Sequence, residues 1–465
     1  MAEPLWTSAE IVAATGGALS GAPFNATGVS IDTRTLAPGD LFVALAGDRD
    51  GHEFVQTALE RGASGALVGK VTAGSAIVVP DTLRALEQLG VAARQRAAGA
   101  RRGAVTGSVG KTSVTQAIRA GLERAGRAHS SVKSYNNHIG VPLTLARMPR
   151  DTERAVFEIG MNHADEITPL VGIVQPQAVV ITTVGHAHVE NFPDGEAGVA
   201  RAKAEIFDGL TPGGVAVLNS DNNWFDYLAG EARSHGAEVV AFGTGEACAA
   251  QLTGFRLVDG GAEVEARLRG RPMRFTLRQT GAHWGLMSLA SLLMMEALGV
   301  SLDDGLAALA AYQPLEGRGA ERDVMLAGGP FHLIDESYNA NPISVGAALQ
   351  TLGLKPAAHR RIAVLTDMLE LGPESLAHHA GLAPAIDEAK VDLVFAAGPM
   401  MKSLWDALPA TRQGGYADTA AGLAPLVTRA IEPGDVVMVK GSKASNAKAL
   451  FDALAALDAR SGGGA

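Results

Sequence analysis

The sequence predicts an α/β protein of three domains. A small N-terminal α/β domain is followed by a central doubly wound parallel sheet carrying a P-loop, and then by a C-terminal Rossmann-like α/β domain. Three observations predict this. A chain of 465 residues is too long for one compact core. From Gly103 onward, short continuous apolar runs alternate with helical stretches, as the buried strands of a parallel sheet do. After Arg318 that alternation restarts, beyond a stretch with an antiparallel pattern. The expected limits are residues 1–98, 99–315 and 316–465.

Taken in order, Thr7-Ser-Ala-Glu10 forms a capping-box pattern ahead of a short helix that stops at Gly16-Gly17. Pro38-Gly39-Asp40 is a turn leading into Leu41-Phe-Val-Ala-Leu45, a buried strand. The basic, Ala-rich stretch Arg94 to Arg102 reads as a linker or helix end. Apolar strands follow at Ala155 to Ile159 and Ala178 to Thr183. Ala262 to Gln279 alternates apolar and polar about a turn at Gly270-Arg-Pro272, which predicts a small antiparallel insert. In the last third, strands are expected at His332 to Asp335, Ile362 to Thr366, Leu393 to Ala397 and Val436 to Lys440. The tail Ser461 to Ala465 is expected to fray.

Composition narrows the functional classes. A net charge of −10 opposes a broad nucleic-acid-binding surface, so any anionic ligand must be met locally. One cysteine, Cys248, cannot form an intrachain disulfide and suits a reducing compartment. Met1 to Trp6 has neither a basic flank nor a long apolar run, and Leu289 to Val300 is well short of a membrane span. A cytoplasmic protein without membrane insertion is expected.

The motif richest in chemistry is Thr106-Gly107-Ser108-Val109-Gly110-Lys111-Thr112, set between a strand and a helix whose Val114, Ile118 and Leu122 share one face. Glycines admit backbone N–H groups to a phosphate, the helix N-terminus adds positive charge, Lys111 reaches the terminal phosphates and Thr112 can hold Mg²⁺. Val105 stands where the strict form of the motif has its first glycine. Glu158 ends an apolar strand, where open α/β sheets place ligand contacts and where a carboxylate can hold a metal. His186 and His188 follow the next strand.

The order of Thr106 to Thr112, Asn136-Asn-His-Ile-Gly140, Glu158-Ile-Gly160, His188-Val-Glu190 and Lys203-Ala-Glu-Ile-Phe207 resembles the Mur ligase family. The resemblance spans nearly the whole chain. Ser30-Ile-Asp-Thr-Arg34 with Gly47-Asp-Arg-Asp-Gly-His52 looks like that family's UDP-sugar-binding domain, and Gly317-Arg318 like the entry to its third domain. In the third domain, Asp335-Glu-Ser-Tyr-Asn-Ala-Asn-Pro342, Thr366-Asp-Met-Leu-Glu-Leu-Gly372 and Val439-Lys-Gly-Ser-Lys443 resemble the D-alanyl-D-alanine-adding members.

The resemblance implies an ATP-dependent ligase of cell-wall precursor synthesis. Such an enzyme activates the carboxylate of a UDP-N-acetylmuramoyl tripeptide as an acyl phosphate, which D-alanyl-D-alanine then attacks. It implies Lys111, Glu158, His188 and Lys203 as catalytic residues, and Thr106 to Ser113 with Arg318, Asp335 and Asn339 as nucleotide contacts. Ser30, Asp32, Thr33, Arg34, Asn137, His138, Tyr338, Asn341 and Ser344 are implied at the substrates. Thr112 and Glu158 would hold one Mg²⁺ ion, and His188 with a carbamylated Lys203 the other. A monomer is expected. Read as plain chemistry, Asn341-Pro342-Ile-Ser344 is equally a turn and helix cap. The family's G-x-H-N-x-x-N helix start appears as Gly281-Ala-His283-Trp284-Gly-Leu-Met287, without the asparagines that approach adenine. Trp284 there can pack in the core or stack on a base. A sibling ligase adding a single amino acid, or a nucleotide-binding regulatory module, remain the alternatives.

Overall fold

The computed structural model describes residues 4–458 except Asp48, Ala73 and Lys133. The expected frayed tail, and Asp48 of the Gly47–His52 motif, lie outside the described residues. Among the described residues, three larger sheets occupy three successive stretches of chain, and a two-stranded pair, Trp6–Thr7 with Asn25–Ala26, accompanies the first.

The first sheet has five strands in the order Ala18–Ser20, Ala76–Val78, Gly65–Val68, Asp40–Val43 and Gly28–Ser30, antiparallel only at the first pair. Its opening helix, Ser8–Thr15, starts at the expected capping box of Thr7 with Glu10 and ends at Gly16, whose φ of 67° makes the left-handed cap that glycine favours. The Trp6 indole N–H donates to the carbonyl of Ala146 at 2.8 Å, and Leu143 and Ala146 pack into the same apolar cluster as Trp6 and Leu41. The first sheet is thereby fixed to the second by a shared core as well as by the chain.

The central sheet has nine strands. Their order is Arg271–Leu277, Gly261–Leu268, Ala250–Val258, Glu238–Gly243, Val215–Asn219, Ala178–Ile181, Arg101–Thr106, Arg154–Glu158 and Ala128–Ser130. Strands are parallel from Ala128–Ser130 to Ala250–Val258, and each face is covered by its own buried cluster. Burial on both faces accounts for the continuous apolar runs. Two expectations are corrected here. Arg101 and Arg102 belong to a strand, after a helix that ends at Arg96. The alternating stretch around Gly270 is no separate insert: with Ala250–Val258 it extends the same sheet by two antiparallel strands. The apolar stretch around Leu289 lies in the buried helix Trp284–Ala297, and among the described residues no helix is long and apolar enough to cross a membrane.

The third sheet runs Ala320–Leu326, Gly329–Glu336, Val436–Lys440, Arg361–Thr366, Leu393–Ala397 and Gln413–Ala417, parallel except at its first pair. Helices cover both faces. The C-terminal ends of strands Arg101–Thr106 and Arg154–Glu158 in the second sheet, and of Gly329–Glu336 and Val436–Lys440 in the third, lead into the same cleft.

Candidate active site

Between the second and third sheets lies a cleft of about 310 Å³, lined by Ser108 to Ser113, Glu158, His188, His283, Trp284, Arg318, Tyr338, Asn339, Asn341, Ser344 and Lys440 among others. The strand Arg101–Thr106 delivers the chain into a loop that can only be built with glycine. Gly107 has φ 145°, and a Cβ there would stand 1.9 Å from the Thr182 hydroxyl; Gly110 has φ 85° and caps the helix Lys111–Ala125. That helix has no side-chain cap, so its first N–H groups are left for an anion. The Lys111 ammonium donates to the carbonyl of Gly107 at 2.7 Å. Burial lowers its pKa, Glu158 partly offsets this, and Arg318 lowers it further. A phosphate is the partner such an ammonium lacks.

Glu158 is only 1% exposed. Its Oε1 accepts from the Asn136 amide at 2.7 Å, and its Oε2 has no hydrogen-bond partner among the described residues. A buried carboxylate oxygen without a partner is costly unless a cation meets it. The Thr112 hydroxyl is 3.0 Å from that of Ser134. Among the described residues no group of three or more His, Cys, Asp or Glu side chains gathers around a metal position. Mg²⁺ beside nucleotide phosphates takes one or two protein oxygens and fills its shell with phosphate and water, so Thr112 and Glu158 fit that ion.

Lys203 is 2% exposed, and its side-chain amine makes no hydrogen bond to a described residue. Burial, reinforced by the nearby Lys111 charge, pushes its pKa well below the ordinary lysine value. His188, in the left-handed region with φ 60°, lines the cleft with its Nδ1 2.6 Å from Glu370 Oε2. Lys440 reaches in from the third sheet, donating to the Asn339 carbonyl at 3.1 Å.

At the junction, the Arg318 guanidinium lies 4.0 Å over the Tyr338 ring. It also donates to the Ser134 hydroxyl at 3.4 Å. Asp335 is buried and does not line the cleft; its carboxylate accepts the Gly317 N–H at 2.9 Å and both the N–H and hydroxyl of Ser337. It fixes the turn that presents Arg318. Asn341 and Ser344 form a reciprocal capping box on the helix Pro342–Leu354 while facing the cleft. Thr106, at the end of the strand, and Gly107, in the loop itself, do not line the cleft.

Other expected residues stand apart from the cleft. The Asn137 side-chain oxygen accepts the N–H groups of Ile139 and Gly140 in the turn before the helix Gly140–Ala146, and His138 is exposed. Ser30 ends the strand Gly28–Ser30 of the first sheet and Asp32, Thr33 and Arg34 follow it, with Asp32 and Arg34 paired at 2.7 Å and the Thr33 carbonyl accepting from Arg61. Sequence reasoning passed over Ser134, Asn136, Glu336 and Lys440 as site residues. Asn136 and Lys440 lay inside quoted motifs, and Lys440 ends a strand as Glu158 does. Ser134 carried no signal. Trp284 is buried at a helix start against Tyr312, with one edge on the cleft.

Residues 105–295 match the model of the Mur ligase middle domain, and residues 323–443 that of the Mur ligase glutamate ligase domain. The chain is 34% identical over 447 residues to UDP-N-acetylmuramoyl-tripeptide–D-alanyl-D-alanine ligase of Escherichia coli K12, covering 94% of this chain and 96% of that one. It is 33% identical to the protein of the same name from Bacillus subtilis 168, covering 80% of each. Among solved structures, MurF from Acinetobacter baumannii superposes with a TM-score of 0.85 at 29% identity, covering 98% of this chain and 99% of that one.

Proposed function

The chain belongs to the Mur ligase family, and from that premise we infer that it is the ATP-dependent ligase that joins D-alanyl-D-alanine to UDP-N-acetylmuramoyl-tripeptide in peptidoglycan precursor synthesis. The observation that carries the chemistry is the pairing, across one cleft, of a phosphate loop with a buried carboxylate whose Oε2 has no partner among the described residues. ATP phosphorylates the terminal carboxylate of the tripeptide, the dipeptide's α-amino group attacks the acyl phosphate, and ADP and phosphate leave. Residues 1–98 take the UDP-sugar through Ser30, Asp32, Thr33 and Arg34. Residues 99–315 take the nucleotide, and residues 316–465 the dipeptide. The reaction belongs to the cytoplasm, and the enzyme acts as a monomer.

Bringing an anionic phosphoryl group to an anionic carboxylate is the electrostatic difficulty of this reaction. The loop backbone and Lys111 hold the terminal phosphates, and Arg318 adds a second cation from the third domain. Thr112 and Glu158 hold one Mg²⁺, which screens the two anions when bound. His188 and Lys203 hold the other. Lys203 reaches that role as a carbamate: its neutral amine takes up CO₂ to give the N-carboxylate and a proton. The burial and neighbouring Lys111 that depress its pKa raise the neutral fraction this step needs. Tyr338, Asn341 and Ser344 line the dipeptide end, and Asn137 and His138, which stand outside the cleft, are assigned to the substrates by the family pattern alone. The dipeptide's amino group, with a free pKa near roughly 8, supplies a useful neutral fraction without a strong base. Incubation with ATP, Mg²⁺, the UDP-tripeptide and D-alanyl-D-alanine, with the product weighed by mass spectrometry, tests the assignment. The UDP-pentapeptide supports it, and the absence of a new amide under these conditions opposes it.

A further inference from the structure

We propose that Glu370 is a positioning residue for the reaction, holding the His188 imidazole from across the junction so that its Nε2 is turned to the cleft. The proposal rests on the reading of His188 as a metal ligand. His188 belongs to the loop after strand Ala178–Ile181 of the second sheet, and Glu370 to the loop after strand Arg361–Thr366 of the third. Their Nδ1 and Oε2 atoms are 2.6 Å apart. The approach is off the line of an ideal N–H···O bond, so contact and charge hold the ring. With Nδ1 facing this carboxylate, Nε2 is the ring nitrogen left for the cleft that His188 lines.

The arrangement suits metal ligation in particular. A neutral imidazole that keeps its proton on Nδ1, towards a carboxylate, has its Nε2 lone pair free, and the carboxylate raises the basicity of that lone pair. Both backbones are built for this meeting. His188 and Glu370 each sit at positive φ, 60° and 63°, a conformation that is unfavourable for a residue with a side chain. Such conformations persist only where surrounding contacts fix them. The surroundings do so: Gly372 lies against the backbone of Glu190, Ile343 against Gly185, and the His186 and His378 rings meet edge to face at 4.9 Å. Glu370 is half exposed and has no other charged partner within ion-pairing distance among the described residues, so its carboxylate is committed to His188.

The test is Mn²⁺ binding in the presence of ADP, followed by electron paramagnetic resonance, in wild type, H188A, E370A, E370Q and H188A/E370A, with circular dichroism as the check on folding. The site at issue is the one H188A weakens. Glu370→Ala is expected to weaken it about 10- to 100-fold, the usual effect of removing a carboxylate behind a ligating histidine. Glu370→Gln should fall between, because its amide keeps the contact with the ring without the charge. In the double variant E370A should add nothing to H188A, since Glu370 acts through that ring. Wild-type Mn²⁺ affinity in E370A alongside a weakened H188A overturns the proposal and leaves the His188 reading standing. Additive losses also overturn it. Unchanged affinity in H188A removes the His188 reading and the proposal together.

Discussion

The Asn136 amide donates to one oxygen of the Glu158 carboxylate at 2.7 Å and leaves the other, buried, without a partner among the described residues. Asn136 thus orients a charge at the end of a strand towards the phosphate loop.

Glu158→Gln keeps the shape and the Asn136 contact but removes that charge. Ligation should fall at least 100-fold with the fold retained, and Mg²⁺ titration of the residual activity should need higher metal. Unchanged Mg²⁺ dependence would sink the metal role of Glu158. Asn136→Ala should cost about 1–3 kcal/mol in a denaturant titration, because it strips a donor from a buried carboxylate.

Lys111→Ala should abolish ligation while leaving the circular dichroism spectrum native, since the glycines Gly107 and Gly110 still build the loop. Near-normal turnover in this variant would count against the phosphate-loop assignment.

Lys203→Ala should lose most activity, and Lys203→Arg should not recover it, because a carbamate is an anion and a metal ligand whereas arginine is a cation. Small carboxylates such as acetate are expected to restore part of the activity of the alanine variant. Full activity in Lys203→Arg would rule out the carbamate.

A cluster away from the cleft predicts the pH profile of stability. Glu321 accepts from Lys355 at 2.6 Å, His332 at 2.8 Å and the Thr280 hydroxyl, joining the third sheet to the end of the second. Burial pushes the Glu321 carboxyl up, but His332 and Lys355 outweigh it and bring it from 4.5 to about 2. A depressed carboxyl stabilises the fold above its unfolded pKa, and that gain, on the order of 3 kcal/mol, is lost as pH falls from 4.5 towards 2. The His332 pKa is raised, chiefly by Glu321, so its share is present below the unfolded value of 6.5 and is lost as pH rises through the folded one. The stability gap between wild type and E321Q should therefore be widest between about pH 4.5 and 6.5, read from denaturation midpoints. A gap independent of pH would contradict this.

Much of this was legible in the sequence, for identifiable reasons. The phosphate loop announces itself because its backbone demands glycine at 107 and 110, and the buried parallel strands because both of their faces are apolar. Ala320–Leu326 and Gln413–Ala417 were missed because they are the two outer strands of the third sheet, where one edge faces solvent and no apolar run is required. Asp335 could be placed after a strand, but its commitment to Gly317 and Ser337 depends on a turn closed only in three dimensions. The burial of Lys203 on an Ala-rich helix and the approach of Glu370 to His188 are likewise products of packing between distant segments. Spacing along the chain does not carry them.

The central claim is the identity of the acceptor. Phosphate release from ATP, measured with UDP-N-acetylmuramoyl-tripeptide present, should be slow alone, accelerate on adding D-alanyl-D-alanine, and respond little to L-lysine, diaminopimelate, D-glutamate or L-alanine. Acceleration by one of those single amino acids, with none from the dipeptide, would contradict it.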